Sequence, residues 1–365
     1  MQWSIRWRRR GGGEGDWGYR HRQPSHARRW ISDQRGRGGG GASPTGGAAP
    51  TGGTEDNGAE AGIVESGGSG GTVVGDSCSS TIDAWIAFDS DAANFNRDLY
   101  VIRPDGSQLT RLTTDASVEQ EPYFAPDGSF LSFTSDRDGS PQIYVMNLAT
   151  RAVIQVTHRQ EGADNSSFSA DSQLIAFHSG PSVYTIRPDG SQEALAATGL
   201  DNFNAYFGPR FIGSDQLVFD RNNEIDAVNV DGTNFRNVIG NWTITIKTPT
   251  VSPQGSEIAY TAQCGVGPNP APGREIWTAS ATVSSQVCSG QRVTPVGDSF
   301  SNERPAWGPN NLFAYQRVDS AANIGRIALI SRVRNSTPCV LTGPSEDARN
   351  PNWSALGLKL EKPTN

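Results

Sequence analysis

The chain has 365 residues, of which 35% are hydrophobic, with 42 Gly and 22 Pro, and that length admits two ordinary domains or one large all-β unit with a tail. Its formal charge of −7 is unevenly spread, because residues 1–40 hold ten Arg against three acids and the remainder is acidic. The acidic part offers no basic surface, which argues against nucleic acid as its partner, and no run reaches the ~18 apolar residues that a membrane helix needs.

The opening stretch, MQWSIRWRRRGGGEGDWGYR, lacks the apolar core of about 7–15 residues found in secretion signals, so no export signal is expected in the sequence as it stands. Residues 1–77 are rich in Gly, Arg, Ser and Thr and too poor in apolar residues to offset the entropy of ordering, which predicts a disordered low-complexity arm or linker. Its basic, Trp-containing first third could bind nucleic acid or an anionic surface, but a solvated or mis-called leader is the preferred reading. Two literal motif matches fall here. Gly67-Gly-Ser69-Gly-Gly71 has the spacing of a nucleophile elbow, and Gly13-Glu-Gly15-Asp-Trp-Gly18 that of a dinucleotide fingerprint. Neither sits between a strand and a helix, the context that gives such a motif its chemistry.

From Cys78 onward, short apolar runs alternate with Gly, Pro, Asn and Asp, the texture of an all-β fold. WIAFDS at 85–90 and DLYVI at 98–102 are the first runs. "IRPDGSQ" occurs at 102–108 and again at 186–192, and "NVDGTN" follows at 229–234. Asp-Gly between apolar runs is a hairpin signal, because these residues tolerate the positive φ of tight turns. A second element recurs six times, with apolar anchors at Phe124, Phe168, Phe207, Val251, Trp307 and Trp353, spaced 44, 39, 44, 56 and 46 residues apart. After the anchors come β runs at 131–135, 174–179, 217–220, 258–261 and 312–316. A period of about 40–50 residues with four strands is the signature of a propeller blade.

The run at 85–90 has no inner strand before it, and NPNWSALG at 350–357 is an inner strand with nothing after it. The C-terminal strand is therefore expected to complete the first blade, which removes free sheet edges. The prediction is a six-bladed β-propeller of four-stranded antiparallel blades over 78–357, with a C-terminal tail at 358–365.

The repeat typified by FAPDGSFLSFTSDRDGSPQIYVMN at 124–147 and DLYVIRPDGSQLTRLT at 98–113 resembles the WD-repeat-like propeller repeat of the TolB family. The resemblance covers about residues 83–357. It implies a non-catalytic platform of the bacterial envelope that binds a protein or extended peptide, as TolB does in a complex with a peptidoglycan-associated lipoprotein. In place of the α/β domain that precedes the TolB propeller, this sequence is expected to carry the low-complexity arm at 1–77. The same repeat is similar to propellers of prolyl-oligopeptidase-type hydrolases and oligogalacturonate lyases, so a polysaccharide- or peptide-processing role is the alternative.

Four cysteines, Cys78, Cys264, Cys288 and Cys339, lack C-x-x-C spacing, which leaves two disulfides or four buried thiols. Disulfides are expected as Cys264–Cys288, across the insertion that lengthens blade five, and Cys78–Cys339, brought together by circular closure. They would place the protein in the periplasm or outside the cell. His158 and His178 are expected in surface or interface packing. The carboxylates Asp136 and Asp138, and Asp89, Asp91 and Asp98, could offer oxygens to Ca²⁺, but Asx-rich turns account for them, and neither metal nor cofactor is expected. The residues just before each inner strand should ring one mouth of the central channel: Glu121, Asn165, Asn204, Lys247, Arg304 and Arg349. This mixed ring suits a peptide or polar ligand, held by a monomer without catalysis.

Overall fold

Short strands with Asp-Gly turns build six sheets, four of which pair only strands that follow one another within a blade. The computed structural model describes residues 78, 81–92, 96–198, 208–240, 244–264, 273–295, 299–333, 336–344 and 346–360. The predicted arm at 1–77 and residues 361–365 lie outside the described residues.

Blade two shows the plan. Its inner strand, Glu119–Phe124, pairs with Phe130–Ser135, then Gln142–Asn147, then the outer strand Val153–Gln155, all antiparallel. Gly128 takes φ 76° in the first turn, where its N–H donates to Ala125 O at 2.9 Å. Blades three, four, five and six repeat the order from inner strands Asp164–Phe168, Arg210–Ile212, Ile246–Val251 and Ser301–Trp307. Blade one takes its inner strand from the far end of the chain: Ala348–Trp353 pairs with Ile86–Ser90. Trp353 stands opposite Ile86 as Phe124 stands opposite Leu131. Beyond the strand, Trp85 and Ser354 exchange bonds, Trp85 N to Ser354 Oγ at 2.8 Å and Ser354 N to Trp85 O at 2.9 Å. The closure expected from the two orphan strands is present. Among the described residues no helix is long and apolar enough to cross a membrane.

The central strands are buried on both faces, so their side chains pack between neighbouring blades. Each second strand carries an aromatic with almost no exposure at the equivalent position: Phe88, Phe133, Phe177, Phe219, Tyr260 and Tyr315. In blades one to three the aromatic meets a tyrosine on the third strand, with centroids 5.7, 5.8 and 5.6 Å apart for Phe88–Tyr100, Phe133–Tyr144 and Phe177–Tyr184. Burying such a ring contributes about 1.5–3 kcal/mol, and the cross-strand pair fixes register.

Both expected disulfides are present. Cys78 joins Cys339 in the outer strand of blade six, and Cys264 joins Cys288, with Cα separations of 5.5 and 5.9 Å. Just before Cys288, Ser285–Gln286 lies parallel to the outer strand of blade four, giving that sheet a fifth strand. The blade-five insertion therefore covers its neighbour's open edge.

Candidate functional site: the inner-strand ring

The inner strands skip one rung of their ladders near the start. In blade two Gln120 pairs with Thr134 and Tyr123 with Ser132, so Glu121 and Pro122 together face Phe133. The same bulge sets Asn165-Ser166 against Phe177, Thr248-Pro249 against Tyr260, Arg304-Pro305 against Tyr315 and Asn350-Pro351 against Phe88. In blade four Phe211 pairs with Leu217, which gives Gly208-Pro209 the equivalent place and Phe219 the aromatic one.

The first residue of every pair has a positive φ: Glu121 58°, Asn165 56°, Gly208 46°, Thr248 54°, Arg304 50° and Asn350 54°. For the five that carry a side chain this conformation costs about 1–2 kcal/mol each, and four of them precede proline, which restricts them further. The cost is offset by buried aromatic packing behind each bulge and by bonds between blades. Glu121 N donates to Asp89 Oδ1 at 3.0 Å, and Asn165 N donates to Glu121 Oε2 at 3.0 Å. Left-handed residues held by their surroundings concentrate at ligand clamps, and here they form a ring. Glu121, Asn165, Arg210, Thr248, Arg304 and Asn350, one from each inner strand, line a single opening.

Its charges lie close to one another. Asp89 is fully buried; burial raises its pKa against the opposing pull of Arg97 and of bonds from Glu121 N and Asn350 Nδ2. Burial also raises Glu121, countered chiefly by Arg304, whose Nη1 lies 3.6 Å from Glu121 Oε1. His178 Nδ1 sits 2.8 Å from Asp164 Oδ1. Burial alone would lower the imidazole pKa, but the bond and charge of Asp164 outweigh it and the net shift is upward. His178 is therefore packed against Asp164, whereas His158 is exposed.

Of the residues expected in the ring, Glu121, Asn165 and Arg304 line the opening. Asn204 lies outside the described residues, and Gly208 holds the equivalent place in blade four. Lys247 and Arg349 stand one residue before the lining positions Thr248 and Asn350. Arg349 is occupied elsewhere, its Nε donating to both carboxylate oxygens of Asp347 at 2.9 Å. The anchor of blade four is Phe211 rather than Phe207: Phe207-Gly-Pro209 imitates Phe124-Ala-Pro126, and the imitation displaced the frame by four residues. A stricter signal was available, since x-Pro-x-apolar recurs at 121–124, 208–211, 248–251, 304–307 and 350–353.

The acidic clusters are engaged within the fold. Asp89 pairs with Arg97 at 2.5 Å and Asp98 with Arg111 at 2.6 Å; Asp136 accepts from Val118 N at 2.9 Å, and Asp138 from the Tyr144 hydroxyl at 2.5 Å.

Residues 85–209 match the family model described as the TolB beta propeller domain. A TolB homologue of Chlorobium luteolum is 30% identical over 122 residues, 32% of this chain and 27% of that protein. The Tol-Pal system protein TolB of Bordetella pertussis is 43% identical over 51 residues, 14% of this chain and 12% of its own. The matched stretch thus spans about a quarter or less of these relatives. The crystal structure of TolB from Acinetobacter baumannii superposes with a TM-score of 0.60 at 17% identity, covering 74% of this chain and 66% of that one, which speaks for the fold. The chain therefore carries a six-bladed β-propeller, of which residues 85–209 are similar to the TolB beta propeller domain.

Proposed function

We propose that this propeller is a non-catalytic platform in the periplasm or outside the cell, binding a protein or an extended peptide at the channel opening. The observation that carries the reading is the ring of left-handed residues, which presents Glu121, Asn165, Thr248, Arg304 and Asn350 around one axis. Such a ring offers both charges, amides and a hydroxyl at fixed spacing, the pattern that suits a polar chain rather than a polyanion. Two disulfides in one chain fit an oxidising compartment, and the named relatives include a Tol-Pal system protein.

Partner capture from the envelope fraction of the source organism tests it. A charge-assisted hydrogen bond is worth about 1.5–3 kcal/mol, so Arg304→Glu should weaken an acidic partner at least tenfold, and Arg349→Glu far less because Arg349 faces Asp347. Unaltered capture by a folded Arg304→Glu protein would move recognition to a blade face.

A further inference from the structure

Arg210 is the one channel-lining arginine whose position depends on a missing side chain. Of the six ring positions only Gly208 lacks a Cβ, and a Cβ there would lie 2.6 Å from Arg210 Nη1 and 3.2 Å from its Cζ. The guanidinium thus occupies the place where the other five blades present a ring side chain. It is held by Nη1 donating to Pro209 O at 3.0 Å and by the Tyr123 ring, 5.2 Å from Cζ to centroid.

What distinguishes it among the described residues is the absence of a counter-ion. Arg97 pairs with Asp89 and Asp347, Arg274 with Glu303 at 2.6 Å, and Arg304 with Glu121 at 3.6 Å. Among the described residues no carboxylate lies within ion-pairing distance of Arg210; Glu121 and Asp220 act on it only through longer-range attraction, and burial lowers its pKa. A guanidinium has five N–H donors in a planar fork, and one is used here. A removed-from-water cation with unused donors facing an opening is matched by an anion that the fork can grip with two parallel bonds.

We propose that Arg210 holds a carboxylate in the channel. The inference rests on the platform reading and names the group that the ligand presents there. A carboxylate fits better than a phosphate because Asp89, Glu121 and Asp164 already place negative charge around the channel, and one unmatched guanidinium calls for one negative charge. The carboxylate belongs either to a peptide C-terminus or to a small organic acid.

The two sources are separated by titrating the full chain, ¹⁵N-labelled, at constant ionic strength with acetate, tri-alanine, tri-alanine amide and chloride, while following the Arg210 Nε–H resonance. Acetate and tri-alanine should shift it saturably, and the amide and chloride should not. A response to tri-alanine much tighter than to acetate assigns a peptide terminus; the reverse assigns a small acid. Arg210→Gln should weaken binding at least tenfold, and Gly208→Ala, which keeps the charge but displaces the guanidinium, should do the same. If the variants fail to fold, the contrast between acid and amide on the native chain decides alone. Equal binding of acid and amide would overturn the carboxylate and leave the platform standing. An unmoved Arg210 signal would overturn the inference whatever the partner-capture experiment shows.

Discussion

Asn350 donates from Nδ2 to Asp89 Oδ1 at 2.5 Å, joining residues 261 positions apart in the sequence. The same carboxylate oxygen accepts the Glu121 N–H at 3.0 Å, so one buried acid ties the last inner strand to the first two blades. Deleting 348–365 should strip blade one of its inner strand and abolish the single cooperative transition seen by thermal or urea unfolding. A truncated protein with an unchanged melting temperature would contradict closure as the source of stability.

Gly308 meets Trp353 across the seam. A Cβ at Gly308 would come within 2.3 Å of Trp353 Cε2, while the Trp353 indole donates to Ala306 O at 3.2 Å. The backbone of Gly308 is extended, so the glycine answers to close approach rather than to turn geometry. Overpacking of this kind costs about 1–3 kcal/mol. Gly308→Ala should therefore lower the melting temperature by several degrees, whereas Gly139→Ala, with nothing within 4 Å but φ 110°, would act only through backbone strain.

Serine replacement of Cys264 and Cys288 removes a cross-link across 24 residues, worth about 3 kcal/mol on chain-entropy grounds. It should also loosen Ser285–Gln286 from the edge of blade four. Hydrogen exchange of the amides around Ile239 and Gly240, paired with those two residues, should quicken, and protection equal to that of the native chain would show the edge strand to be independent of the disulfide. Non-reduced mass spectrometry should find no free thiol.

The ring acids set a pH dependence of definite sign. Burial raises the folded pKa of Glu121, with Arg304 opposing, so the folded state holds that proton more tightly than the unfolded chain, whose value is about 4.3. The stability linked to Glu121 is complete below that value and falls as pH rises through the folded pKa. Asp89 acts in the same direction. His178, also raised, contributes below about 6.5 and loses that contribution as pH rises through its folded value. Glu121→Gln should flatten the fall in melting temperature that sets in as pH rises above about 4.3 and leave the His178 step. Parallel curves for the native and variant proteins would refute the assignment.

The all-β class, the blade period and the circular closure were legible in the chain because each depends on local chemistry repeated at a fixed interval. Asp-Gly turns, alternating apolar runs and an orphan strand at each end need no distant information, and the disulfide pairing followed once closure placed Cys78 near Cys339. The site was legible only in part. Glu121, Asn165 and Arg304 were found by counting back from correct anchors, but Phe207 passed for an anchor because Phe-Gly-Pro copies Phe-Ala-Pro, and one wrong frame hid Gly208 and Arg210. Tertiary structure decided the rest. The same bulge in each inner strand puts the residue three before the anchor at the opening, so Thr248 and Asn350 hold the place of Glu121, and Lys247 and Arg349, four before theirs, fall one position short. Whether an arginine meets an acid is a matter of distances in the folded chain, so the pairing of Arg97, and the lack of an acid partner for Arg210 among the described residues, emerge only from the tertiary structure.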